Sequence, residues 1–228
     1  MELFIVAFVG GLLALDHTAA WQTMISQPLV ACPLVGLLVG DPYSGLFVGA
    51  LLQLLWLAEM PLGSSYYPDL TSGAVAGALV ASLGRGRYDL PALSAFSLAV
   101  LAAVVFSWIG AMVEVKWIRR INGALSDRAM GAAERDGSAG LTRLTLTALA
   151  VVFLKGILIA VLAWFSTVAL LRWWSLPDGG MIPGGGTILL LVVVLILVLN
   201  YFKFLLDRRN WSGVLLGLAV GLFLLRIF

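Results

Sequence analysis

Little of this chain is charged: Asp, Glu, Lys and Arg make up 11% of its 228 residues, against 61% hydrophobic. Soluble domains hold about a quarter charged and half apolar residues, so this composition excludes a water-soluble globule and indicates an integral membrane protein. Cysteine is nearly absent. Cys32 alone rules out an internal disulfide and a cysteine-based metal cluster, and its setting in Leu29-Val30-Ala31-Cys32-Pro33-Leu34 reads as buried helix packing. His17 is the single histidine, and no HExxH, Walker, dinucleotide-binding or nucleophile-elbow pattern occurs. The sequence therefore offers no group of residues for covalent chemistry, and none for a metal or cofactor. A formal net charge of +2, with the basic residues concentrated in a few short loops, supplies no polyanion-binding face and excludes nucleic acid as a partner. The amino terminus is apolar from Leu3 without a basic region or a small-x-small cleavage site, which predicts a retained membrane segment.

A helix needs about 20 apolar residues to cross a bilayer, and several segments fall short of that. Stretches 3–15, 29–40 and 70–84 are too short, and 46–58 is short unless it continues through Met60. Short apolar segments broken by glycine predict re-entrant or half helices, which exist at membrane depth only inside protein or around a water-filled cavity. Stretches 90–115, 144–171, 188–206 and 214–228 read as regular transmembrane helices. The expected fold is an all-α polytopic membrane protein, one membrane domain over 1–228, with a re-entrant, site-bearing region over 1–90 and transmembrane helices over 144–228. Between these lies the longest polar stretch, 116–143. Lys116, Arg119, Arg120, Arg128, Arg135 and Arg143 outnumber Asp127, Glu134 and Asp136 there, so the positive-inside rule predicts a cytoplasmic loop. Lys203, Arg208 and Arg209 follow two crossings later on the same side, which leaves Arg85 and Arg87 outside, against the rule. Glycines and prolines over 176–186 forbid a regular helix and predict a tight or unwound connection.

Asp69 is the most informative residue, because it sits in Pro68-Asp69-Leu70-Thr71-Ser72-Gly73, between two lipid-compatible stretches. A carboxylate near hydrocarbon is costly and marks a solute or ion path, although the same residue could serve only as the N-cap of a helix that begins at Leu70. On a helix over 46–60, Gly49, Gln53, Trp56 and Met60 fall on one stripe. The Gln53 amide suits a polyhydroxylated ligand and the Trp56 face suits the C–H side of a sugar ring. The alternative is that Gln53 bonds helices together and Trp56 sits at the membrane interface. Ser64 and Ser65 lie in the turn just before Asp69, and Glu59 lies off the stripe as an interfacial charge. His17 reads as a polar boundary residue, with proton carriage as the other option. Gly36 and Gly40, Gly45 and Gly49, Gly73 and Gly77, and Gly213, Gly217 and Gly221 are each four apart, which predicts close helix packing, within the chain or against a partner, a homo-oligomer included.

The run from Gln27-Pro28 through Cys32-Pro33 to Gly40-Asp41, then Gly45 to Leu57 with Gln53 and Trp56, then Gly63 and Pro68-Asp69, resembles the IIC subunits of mannose/sorbose-type sugar phosphotransferase systems. The likeness covers roughly residues 16–80. It implies a sugar-translocating, multi-pass protein of the bacterial inner membrane that pairs with a second membrane subunit, IID. Cytoplasmic IIA and IIB proteins would carry the phosphoryl group, so the chain itself would not be an enzyme. It also implies a hexose-type substrate, with the family's site positions falling on Asp69 and on Gln53, which stands where mannose-type members often have Glu; Trp56, Ser64 and Ser65 join these two as the residues expected to line the path. Two other classes remain open from the residues: an ion- or proton-coupled transporter using Asp69 and His17, and an assembly subunit that does not transport.

Overall fold

The computed structural model describes residues 1–56 and 68–174. These form α1 (Glu2–Thr18), α2 (Pro28–Val39), α3 (Pro42–Trp56), α4 (Leu70–Gly86), α5 (Ala92–Val113), a π-helical turn (Glu114–Ile118) and α6 (Arg119–Trp174), with no strand among the described residues. The expected all-helical architecture is present. Segments 188–206 and 214–228, the connection 176–186, and Glu59, Ser64 and Ser65 lie outside the described residues.

Proline and glycine set the element boundaries. Pro28 opens α2 after an extended Gln27, where its missing N–H costs nothing, and Gly40 closes it at φ 98°, a left-handed conformation suited to glycine. Pro42 then starts α3 at once, so α2 and α3 fold back as a hairpin joined by Gly40 and Asp41. The Asp41 carboxylate accepts the Ser44 N–H at 3.0 Å, and Ser82 Oγ donates to the Asp41 carbonyl at 2.8 Å, fixing the hairpin tip to α4. At about 1.5 Å per residue, the 12 residues of α2 and 15 of α3 reach roughly 18 and 22 Å, less than a hydrocarbon core of about 30 Å. The helical stretches Ala92–Ala129 and Gly137–Trp174, 38 residues each, are long and apolar enough to cross.

Helix α4 is the centre of the bundle, and every residue from Leu70 to Gly84 is buried. A helix made mostly of Gly, Ala, Ser, Val and Leu has no polar face to show to water, so it must be surrounded. Its neighbours come close where side chains are smallest. A Cβ on Gly73 would lie 2.7 Å from the Ala103 carbonyl, and one on Gly77 3.2 Å from that of Ala99, which places α5 antiparallel against α4. Gly45 and Gly49 do the same for the hairpin, each 2.5 Å from a carbonyl oxygen of α2 by the same construction. The paired glycines of α3 and α4 are therefore intramolecular contacts, consistent with the small-residue faces of membrane helices. Helix α1 docks on α6 through Gly10, Gly11 and Gly156. Outward-facing Phe4, Phe8, Leu146, Leu154, Leu158 and Phe165 give the bundle an apolar exterior that suits lipid.

Residues 116–143, expected as a loop, are helical. The π-turn runs into α6, which is interrupted only at Gly137 (φ 58°, ψ −137°). No proline occurs between Pro91 and Pro177, and Ala, Arg and Leu recur through the stretch, so a solvated helix is favoured over a loop despite the charge. Because α4 and α5 are antiparallel, Arg85 and Arg87 sit at the end of the bundle away from this helix, where Arg87 pairs with Glu2 at 2.9 Å. That pair is half exposed at both partners and contributes little.

Candidate functional site

At the first turn of α4 the bundle holds a buried group of charges. Asp69, 5% exposed, is the N-cap: its Oδ1 accepts the Ser72 N–H at 3.1 Å, satisfying one of the orphan amides of the helix start. Its Oδ2 lies 2.7 Å from Lys155 Nζ, on α6. The same ammonium lies 2.8 Å from Glu114 Oε2, on the π-turn. Side-chain exposure grades from 5% at Lys155 and 6% at Asp69 to 25% at Glu114, so the network opens outward at the glutamate. Charges in such surroundings persist only when paired and hydrogen-bonded, and the positive end of α4 adds to the stabilisation of Asp69. One ammonium against two carboxylates leaves one negative charge. His17, in the last turn of α1, is within electrostatic reach of Asp69, Lys155 and Glu114.

The backbone around Asp69 is built for close approach. Asp69 N–H donates to the Ser107 carbonyl of α5 at 3.1 Å, and a Cβ on Gly110 would lie 2.7 Å from both Asp69 Cβ and Oδ2. Only glycine at 110 lets α5 pass the carboxylate. Thr71 Oγ1 and Ser107 Oγ, beside this turn, are buried and hydrogen-bond no described protein group.

The candidate residues divide by location. Trp56 is buried, and a Cβ on Gly73 would meet its Cη2 at 2.5 Å, so the indole rests on the turn that Asp69 caps. Gln53 faces elsewhere: Nε2 donates to Gln27 Oε1 at 3.3 Å and Oε1 accepts the Leu29 N–H at 3.4 Å, holding the start of α2. Asp69 and Trp56 are brought together, then, while Gln53 bonds across its own α2–α3 hairpin. Cys32 is fully buried, its Sγ donating to the Ala74 carbonyl at 3.4 Å, as helix packing requires.

Lys155 and Glu114 escaped the sequence reading, and so did Asp16. The signal for Lys155 was present, since an ammonium inside an apolar run obeys the same rule as Asp69. Asp16 serves the structure of the α1–α2 connection, where its carboxylate accepts Thr23 N–H and Oγ1–H at 2.7 Å each and Ser26 N–H at 2.9 Å. Those bonds strap down a segment in which Trp21, Gln22 and Met24 all have positive φ, a conformation that non-glycine residues adopt only when held.

Comparison with known proteins supplies the lineage. Residues 1–174 match the family model described as the phosphotransferase system sorbose-specific IIC component. A protein of Escherichia coli K12 named as a candidate N-acetylgalactosamine permease IIC component 2 is 31% identical over 104 residues, 45% of this chain and 75% of that one. The sorbose-specific EIIC component of Lacticaseibacillus casei is 32% identical over 77 residues, 34% of this chain but 27% of its own. The mannose-specific EIIC component of Escherichia coli K12 is 26% identical over 102 residues, covering 45% and 37%. The matched stretch thus spans three quarters of the first relative and about a quarter to a third of the other two. Among solved structures, the cryo-EM complex of the mannose transporter ManYZ with microcin E492 shares the fold at a TM-score of 0.59 and 20% identity, covering 97% of this chain and 84% of that one. A second structure, titled a membrane protein, matches at 0.59 and 21% identity over 99% and 92%. The chain belongs to the sorbose-specific IIC component family of the phosphotransferase system.

Proposed function

We propose that this chain is the sugar-translocating IIC subunit of a mannose-family phosphotransferase system, a multi-pass protein of the bacterial inner membrane. It pairs with a IID membrane subunit and is served by cytoplasmic IIA and IIB phosphocarriers. The observation that carries the reading is Asp69, a buried carboxylate at the start of the central helix of a bundle whose exterior is apolar. Asp69 accepts hydrogen bonds from hydroxyls of a hexose-type sugar, and Trp56 offers an apolar plate one turn further on. Gln53, whose amide here closes the α2–α3 hairpin, joins the path with Ser64 and Ser65 when that short hairpin, the re-entrant element, moves against the remaining helices. Phosphoryl transfer belongs to the partners: Cys32 is fully buried, and His17 lies within electrostatic reach of the charged group of the bundle.

Vesicles test this directly. Membranes containing this chain alone will not accumulate sugar, and adding IID, IIA and IIB with phosphoenolpyruvate will produce sugar phosphate inside. The cluster of Asp69, Lys155, Glu114 and His17 favours a second reading, an ion- or proton-coupled transporter. Accumulation driven by a proton gradient in vesicles of this chain alone would establish the second and eliminate the first.

Sidedness gives an independent check. Residues 116–143 carry the basic excess, and by the positive-inside rule they face the cytoplasm. A cysteine in place of exposed Ser138 will react with an impermeant thiol reagent in inside-out vesicles and not in intact cells. Labelling from outside would invert the topology.

A further inference from the structure

We propose that Lys155 is a positioning residue whose ammonium passes between Asp69 and Glu114, and that Glu114 sets sugar affinity without touching sugar. The inference rests on Asp69 being part of the sugar site. Both oxygens of Asp69 are engaged, Oδ1 by the Ser72 amide and Oδ2 by Lys155 at 2.7 Å. A sugar hydroxyl that bonds Oδ2 competes with the ammonium. Lys155 is 7% exposed, so releasing it with no second carboxylate would leave an unpaired buried cation, an unfavourable state. Glu114 removes that obstacle, because it already holds the same Nζ at 2.8 Å and keeps the charge paired as Asp69 lets go.

Three further observations fit an exchange better than a static brace. Glu114 is the outermost and most exposed of the three side chains, which leaves it freedom to follow the ammonium. It begins a π-helical turn, a wider geometry that is concentrated at functional sites. Gly156, the next residue after Lys155, is pinned against α1, with a Cβ there falling 2.5 Å from the Gly10 carbonyl, so the lysine backbone is fixed and the motion is confined to its side chain. His17 and Asp16 on α1 are the other titratable groups near the site, and Asp16 is fully occupied by Thr23 and Ser26.

Equilibrium binding of radiolabelled mannose, sorbose and N-acetylgalactosamine to the purified complex with the membrane partner tests the exchange. Glu114→Gln leaves Lys155 with Asp69 as its only anionic partner, so the Kd of whichever sugar binds wild type rises about tenfold, while maximal uptake in vesicles stays near wild type. In a Lys155→Met background the same Glu114→Gln change has no effect on Kd, because the ammonium it served is gone. A brace that only stabilises the fold would lower maximal uptake and leave Kd alone. Glu114→Asp, which keeps the charge, holds Kd within about threefold, and it decides the matter if the glutamine protein fails to assemble. Wild-type binding with an unchanged Kd in Glu114→Gln, or a tenfold loss in Glu114→Asp, overturns the exchange alone. Failure of wild type to bind any of the three sugars, in a complex that phosphorylates none of them, removes the sugar-site reading as well.

Discussion

Asp69→Asn will reduce sugar uptake by about ten- to a hundredfold and leave the protein inserted and assembled. Asparagine caps a helix about as well as aspartate, so the bond from Ser72 N–H survives and α4 keeps its start. Lys155 also keeps a partner, because Glu114 remains 2.8 Å from its ammonium. Replacing a singly negative cluster with a neutral one therefore does not strand a buried charge. What is lost is the charge-assisted acceptor: each hydroxyl bond weakens by roughly 0.7–1.4 kcal/mol, and two such bonds account for the expected factor. Uptake assays on the assembled complex, with size-exclusion chromatography as the control for assembly, read the two effects separately. Wild-type uptake and affinity in this variant would reduce Asp69 to a helix cap and leave Gln53 as the strongest candidate among the described residues.

The reach of sequence reasoning here follows what each residue depends on. Asp69 was legible because the cost of a carboxylate in lipid is a property of the residue and its flanks alone. Lys155 satisfies the same criterion, but it lies in a run long enough to pass as an ordinary span, and its partners are 86 and 41 residues away in the chain. A pairing across α4, α6 and the π-turn is a tertiary fact. The glycine spacings of α3 and α4 announced close packing, yet the pattern is the same whether the partner is another subunit or the next helix, and the geometry gives them to α2 and α5. Gln53 shows a related limit: an amide on a helix stripe can face a ligand or a neighbouring helix, and here it meets Gln27 and the Leu29 N–H. Charge density misled over 116–143, where a span-length argument ends at the membrane surface but the helix does not. The short segments were correctly read as short, because length in residues converts directly into length in ångströms.

Gly156→Leu will separate α1 from α6 and destabilise the described bundle. A Cβ at this position would lie 2.5 Å from the Gly10 carbonyl oxygen, 2.7 Å from Ala14 Cβ and 2.8 Å from Gly11 Cα. None of these is the free end of a flexible side chain. The helices must move apart by more than a rotamer change, and α1 also bears Gly10, whose own Cβ would meet Ala160 at 2.7 Å, so the strain spreads along the seam. Overpacking of this kind costs about 1–3 kcal/mol, equivalent to a fall in Tm of about 2–12 °C for a chain of this size. Function falls with it, because Lys155 is the adjacent residue and His17 rides on the displaced helix. Gly123→Leu is the matched control: nothing lies within 4 Å of a Cβ there, and leucine is the better helix former, so stability should hold or rise by up to about 1 kcal/mol. Thermal unfolding of the two variants in detergent, followed by tryptophan fluorescence, distinguishes them. Equal Tm values would mean that α1 and α6 do not meet at Gly156, and the placement of Lys155 beside Asp69 would lose its anchor.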